Sequence, residues 1–180
     1  MANILLNTQE LFQQVNAYAQ RHGFSGGFPV FYEARYNGKL VYGAYFLHSA
    51  QRTWVPNDFL KDVQTEEDLF EAVNAAARTL GFSMGFPTYT KMQIDCEVQQ
   101  EAVFLGRCEA APCLVEAGQL GISLEDSFAA KLHKVQAYAR SQGYKSGLPC
   151  GELANGKVRV QFFQARELTW RVLTETELEI

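Results

Sequence analysis

The sequence predicts an α+β protein made of three diverged copies of one unit, each about 60 residues long and each running helix–strand–strand–strand. Three observations predict it. The stretch Gly23-Phe24-Ser25-Gly26-Gly27-Phe28-Pro29 returns as Gly81-Phe82-Ser83-Met84-Gly85-Phe86-Pro87 and, drifted, as Gly143-Tyr144-Lys145-Ser146-Gly147-Leu148-Pro149. Helically spaced apolar residues precede each copy of the motif, and β-rich runs follow it. The copies, about 1–62, 63–121 and 122–180, are joined without a linker or low-complexity tract. A lone unit of that size would be marginal, so one compact domain over 1–180 with pseudo-threefold packing is expected.

Each copy opens on a helix signal. Asn7-Thr8-Gln9-Glu10, Thr65-Glu66-Glu67-Asp68 and Ser123-Leu124-Glu125-Asp126 each place a capping residue three before an acid. The cap oxygen can take an orphan N–H, and the acid meets the positive helix end. Behind the caps, Phe12, Phe70 and Leu132 are equivalent. Val15, Val73 and Val135 follow, then Tyr18, Ala76 and Tyr138, then Ala19, Ala77 and Ala139, giving one apolar stripe. Asn16, Asn74 and Gln136 lie just off it, placed either to bond a neighbouring loop or to face solvent. The first motif glycine suits the positive φ of a helix end. The aromatic after it is placed to fold back on the last helical turn. The second glycine lets backbone pass close to a neighbour, and the proline opens a strand without needing a ladder donor. A phosphate loop would precede a helix rather than follow one, so the motif reads as a connector.

The strands come next. Val30–Arg35 and Lys39–His48 flank Asn37-Gly38, and Asn155-Gly156 stands between Cys150–Leu153 and Lys157–Phe163; both are hairpin signals. Gln93-Ile94-Asp95-Cys96 replaces the signal in the middle copy, which predicts a longer or differently turned hairpin. A third short strand follows in each copy, at 52–55, 112–115 and 168–172, so antiparallel meanders are expected. Trp54, Leu114 and Trp170 then look equivalent, and each copy closes on a leucine: Leu60, Leu120 or Leu178. In the second strand, Leu40, Tyr42, Ala44 and Phe46 form a core face. The opposite face, with Tyr45 and Leu47, is either covered by the chain itself or offered to a partner.

Composition narrows the function classes. A hydrophobic share of 47% and a charged share of 20% describe an ordinary soluble globular protein. The net charge of −4 argues against nucleic-acid binding. Residues 63–121 set three cations against nine acids, so the middle copy is the one suited to a basic partner or a cation. The first residues lack a signal-peptide pattern and no apolar run reaches a membrane span, so a cytoplasmic protein without a membrane partner is expected. Cys96, Cys108, Cys113 and Cys150 fit that compartment as reduced thiols. His22, His48 and His133 have no partner at metal-ligand spacing, and neither a metal nor a cofactor is expected.

Cys150 is the candidate nucleophile, because it follows Pro149 in a copy that also holds His133 and Glu152; its equivalents, Val30 and Thr88, make it equally a small strand residue. Glu33, Arg35, Tyr36 and Tyr42 around the first hairpin, with Tyr45 and Leu47 on the second face, are the candidate ligand- or partner-binding residues. They suit a small polar ligand, another protein or a second copy of this chain. The leading expectation is a non-enzymatic binding or protein-interaction module. The alternatives are a hydrolase or transferase using Cys150 or a carboxylate between copies, and a purely structural assembly subunit.

Overall fold

The computed structural model describes residues 8–36, 39–55, 57–94, 97–106, 113–150 and 156–179, with side chains at 31–36, 39–41, 94, 97–98, 113 and 165 outside that description. Three long helices stand ahead of the three motifs: α1 (Thr8–Arg21), α2 (Glu66–Thr79) and, after the one-turn helix α3 (Ala117–Leu120), α4 (Phe128–Ser141). A last turn, α5 (Glu175–Leu178), carries the closing leucine. The predicted stripe is the buried face of each long helix: Phe12, Val15 and Ala19, then Phe70, Val73 and Ala77, then Leu132, Val135 and Ala139.

The start of α2 is a capping box. Thr65 Oγ1 accepts from Asp68 N at 3.1 Å, and the Asp68 carboxylate accepts from Gln64 N and Thr65 N, each at 3.1 Å. These backbone donors hold the Asp68 carboxyl below its ordinary value. A depressed folded-state pKa contributes stability above the unfolded value and loses it as pH falls through the folded one. The deficit of Asp68→Ala in urea unfolding is therefore expected at about pH 7 and should shrink near pH 2.5; equal deficits at both would show that charge is not involved. The third helix begins four residues later than the sequence signal suggested. Its cap is Ser127, whose Oγ accepts from Ala130 N. Ser123 sits instead in a turn, where its N–H donates to Asp126 at 2.9 Å, and that carboxylate pairs with Lys134 at 2.7 Å. That turn, closed also by Asp126 N donating to Ser123 O at 3.2 Å, ends before the helix, which starts after Ser127.

Gly23, Gly81 and Gly143 end the helices at φ +85°, +93° and +89°. The residue after each folds back on the helix end, its N–H donating to Ala19 O, Ala77 O or Ala139 O, and its ring also meets the second strand, with Phe24 5.0 Å from Phe46, Phe82 5.1 Å from Phe104 and Tyr144 4.4 Å from Phe162. The helix amides prove interior. Asn16 and Asn74 donate to Phe12 O and Phe70 O, and accept from Gly27 N and Gly85 N at 3.1 Å. Gln136, one methylene longer, reaches across to Pro29 O at 3.0 Å.

The strands are β1 (Gly26–Tyr36), β2 (Lys39–Leu47), β3 (Gln51–Val55), β4 (Met84–Ile94), β5 (Glu97–Leu105), β6 (Cys113–Glu116), β7 (Ser146–Pro149), β8 (Lys157–Phe163) and β9 (Leu168–Thr174). They form three antiparallel sheets, ordered β1-β2-β9, β3-β5-β4 and β6-β8-β7. The expected meander is therefore corrected. β3 does not turn back on β2 but pairs with β5, β6 pairs with β8, and β9 returns to β2. His48-Ser49-Ala50, between β2 and β3, offers no glycine or asparagine for the positive φ of a tight reversal, so the chain runs on to the next sheet.

The register also revises two expectations. Tyr36 faces Lys39 and Ile94 faces Glu97, so the middle hairpin has the same two-residue connection as the first. Trp54 faces Glu101 whereas Trp170 faces Tyr45, the counterpart of Val103, so Trp170 corresponds to Arg52 and the tryptophans are not equivalent. Both long first strands break register after the proline, between Val30 and Glu33 and between Pro87 and Lys91. Tyr89, inside the second break, has φ +64° and a buried hydroxyl without a hydrogen-bond partner. Burial, with the Glu66 charge behind it, pushes that phenol well above its ordinary value.

Each sheet buries residues on both faces. One face meets a helix: Tyr42, Ala44 and Phe46 pack with Leu11, Val15, Ala19, Leu173 and Leu178. Val158, Val160 and Phe162 pack with Val115, Leu120, Val135 and Ala139. The other faces join in one core that holds Phe28, Tyr45, Leu47, Phe86, Val103, Leu105, Leu148 and Phe163.

Candidate functional site

A cavity of about 270 Å³ opens between α2 and α4 over the third sheet. Two ties bracket it. At its mouth Lys131 of α4 pairs with Glu67 of α2 at 2.6 Å. At the far end of α2 the Arg78 guanidinium donates to the carbonyl of Cys150. Between them the walls are Phe70 and Phe128, which meet edge-on at 4.9 Å, with Ile122, Val135 and Val158. Asn74 also lines it, but both ends of its amide are occupied by Phe70 O and Gly85 N, so the cavity is lined chiefly by hydrocarbon.

The connector between α3 and α4 supplies the rim. Ile122 is half-buried in the wall, while Leu124, two residues on, is 96% exposed. Glu67, Glu71 and Lys131 give the mouth more negative than positive charge. Alongside it, Lys134 and the Ser123 N–H hold the Asp126 carboxyl below its ordinary value, so it is ionised at neutral pH. This arrangement can take an apolar group into the cavity and meet positive charge at the rim.

The expected site residues lie elsewhere. Tyr45 and Leu47 are core, at 4% and 1% exposure, so the second face of the first sheet is covered by the chain itself. The Tyr45 hydroxyl donates to Lys145 O at 3.1 Å. Tyr42 is buried under α1. Glu33, Arg35 and Tyr36 belong to β1, but their side chains lie outside the described residues, as do Cys96, Cys108, Cys113 and Glu152. His133 is exposed on α4 and His48 touches Thr169. Among the described residues no three His, Cys, Asp or Glu side chains are gathered to hold a metal, and no helix is long and apolar enough to cross a membrane.

Cys150 is fully buried beside Leu148 and Phe163. In a variant that keeps Cys150 and replaces the other three cysteines, thiol-reagent modification is expected to be slower than that of a free thiol by at least about a hundredfold, and to follow the fraction unfolded across a urea titration. Fast modification in the native protein would return the nucleophile reading.

Glu101 is the one buried carboxylate of the described second strands, and it too is held in place. Its side chain pairs with Arg52 of β3 and accepts from Thr88 Oγ1 at 2.9 Å, which locks β3 onto its adopted sheet. Sequence reasoning missed the cavity because its walls come from residues far apart in the chain. The available signal was Ile122 and Leu124, an apolar pair in a connector otherwise made of polar residues.

No protein-family model matches this chain, and neither a curated protein nor a solved structure does.

Proposed function

We propose that the protein is a non-enzymatic binding module whose ligand places an apolar group in the cavity between α2 and α4. The observation that carries this reading is the pairing of a hydrocarbon-lined cavity with a fully exposed leucine at its rim. The three copies of one unit, packed with pseudo-threefold symmetry into one domain, are the scaffold. The cyclic order of strand pairing and the recurring Asn16 and Asn74 bridges support that architecture. The proposed site occupies the seam between α2 and α4 of this frame.

Indole, a neutral apolar probe small enough for the cavity, tests this. In methyl-labelled protein it is expected to shift the signals of Ile122, Val135 and Val158 and to leave those of Val30, Leu47 and Leu105 in place. Ile122→Trp, which fills the cavity from its half-buried wall, should abolish the shifts without lowering Tm. Shifts spread over the whole surface, or none, would refute the reading.

A further inference from the structure

Resting on that binding reading, we infer that the occupant is a basic amphipathic segment of another protein, laid along α2 and α4 with one apolar side chain in the cavity. Three observations select it over a free small molecule.

The first is size. About 270 Å³ lies at the small end of ligand pockets, and it suits one large apolar side chain. The second is the rim. A small ligand held inside the cavity has no use for Leu124, whose 96% exposure puts an isobutyl group outside the mouth. A helical partner does, because its anchors fall at i, i+3 or i+4 and i+7 along a groove, so that one enters and the next rests on the rim. The third is charge. On this side α2 presents Glu67 and Glu71, and the connector adds Glu125 and Asp126 beside Leu124, against Lys131 and Lys134 of α4. Lys131 and Lys134 are each engaged with one of these acids, Glu67 and Asp126. Lysines or arginines flanking the partner's apolar stripe would complement this face, and would speed encounter at low ionic strength.

The probes are two labelled eighteen-residue amphipathic peptides with the same leucine stripe, one flanked by lysines and one by glutamates, followed by fluorescence anisotropy. The lysine peptide is expected to bind at least tenfold more tightly at low salt, with the difference narrowing in about 0.5 M NaCl. Glu71→Lys with Glu125→Lys, both exposed positions, should reverse the preference. Leu124→Glu separates anchoring from general attraction: it adds negative charge, so unspecific binding of the lysine peptide would strengthen, whereas anchored binding weakens at least about fivefold. Equal binding of both peptides, or tighter binding to Leu124→Glu, overturns the inference. If indole still shifts the cavity methyls while neither peptide binds, the partner assignment fails and the binding module stands. If neither indole nor peptide binds, both fail.

Discussion

Phe12→Ala is expected to remove about 4 kcal/mol of folding stability, a large part of what a protein of this size has. Phe12 is fully buried, and its ring meets Phe70 at 5.3 Å, Phe86 at 5.9 Å and Tyr89 at 5.9 Å. These partners come from a different helix and a different sheet, so the cavity left behind cannot close by shifting one element alone. Phe24→Ala is the comparison. That ring is half-buried and rests on Phe46, and its loss should cost about 1–2 kcal/mol. Urea unfolding of both variants measures the difference through the midpoint at unchanged m. Similar losses for the two would mean that the core is not centred where Phe12 lies.

The second large effect separates two glycines of one motif. A Cβ on Gly85 would stand 2.7 Å from the Phe104 ring and 3.1 Å from Val103 O. Gly85→Ala should therefore cost about 3 kcal/mol, through displaced backbone and a strained ring. Gly81, four residues earlier, has open space around it and only its φ of +93° to defend, so Gly81→Ala should cost about 1 kcal/mol. Gly27 repeats the crowding on the first sheet, 2.9 Å from the Phe46 ring and 3.0 Å from Tyr45 O. The expected order is Gly85→Ala and Gly27→Ala well below Gly81→Ala in midpoint. The reverse order would assign the motif to turn conformation rather than to close approach.

Local features of the fold were legible because local chemistry dictates them. The stripe through Phe70, Val73 and Ala77 can only be a buried helix face, and the second motif glycine signalled a close approach that the crowding at Gly85 bears out. The exchange of third strands was not legible. β3 has the same sequence character whether it pairs with β2 or β5, and what decides is the lack of a reversing turn at 48–50 and the grip of Arg52 on Glu101. The start of α4 was misplaced because Ser123 and Ser127 both stand before an acid or a helix-forming run; only the turn closed by Asp126 tells them apart. For the candidate site almost nothing was readable. Whether Tyr45 and Leu47 are covered or offered to a partner stayed open, because a strand pattern gives alternation, not which faces are covered. The cavity depends on how α2 and α4 stand over Val158, which no local pattern encodes.

The pairing of β9 with β2 has a consequence for the order in which the chain is made. Synthesis delivers the hairpin of β1 and β2 first, but the partner for the free edge of β2 is residues 168–174. During translation of everything in between, that edge carries unpaired N–H and C=O groups beside Tyr45 and Leu47, a template for pairing with other nascent chains. The first sheet to be synthesised is thus the last to be completed.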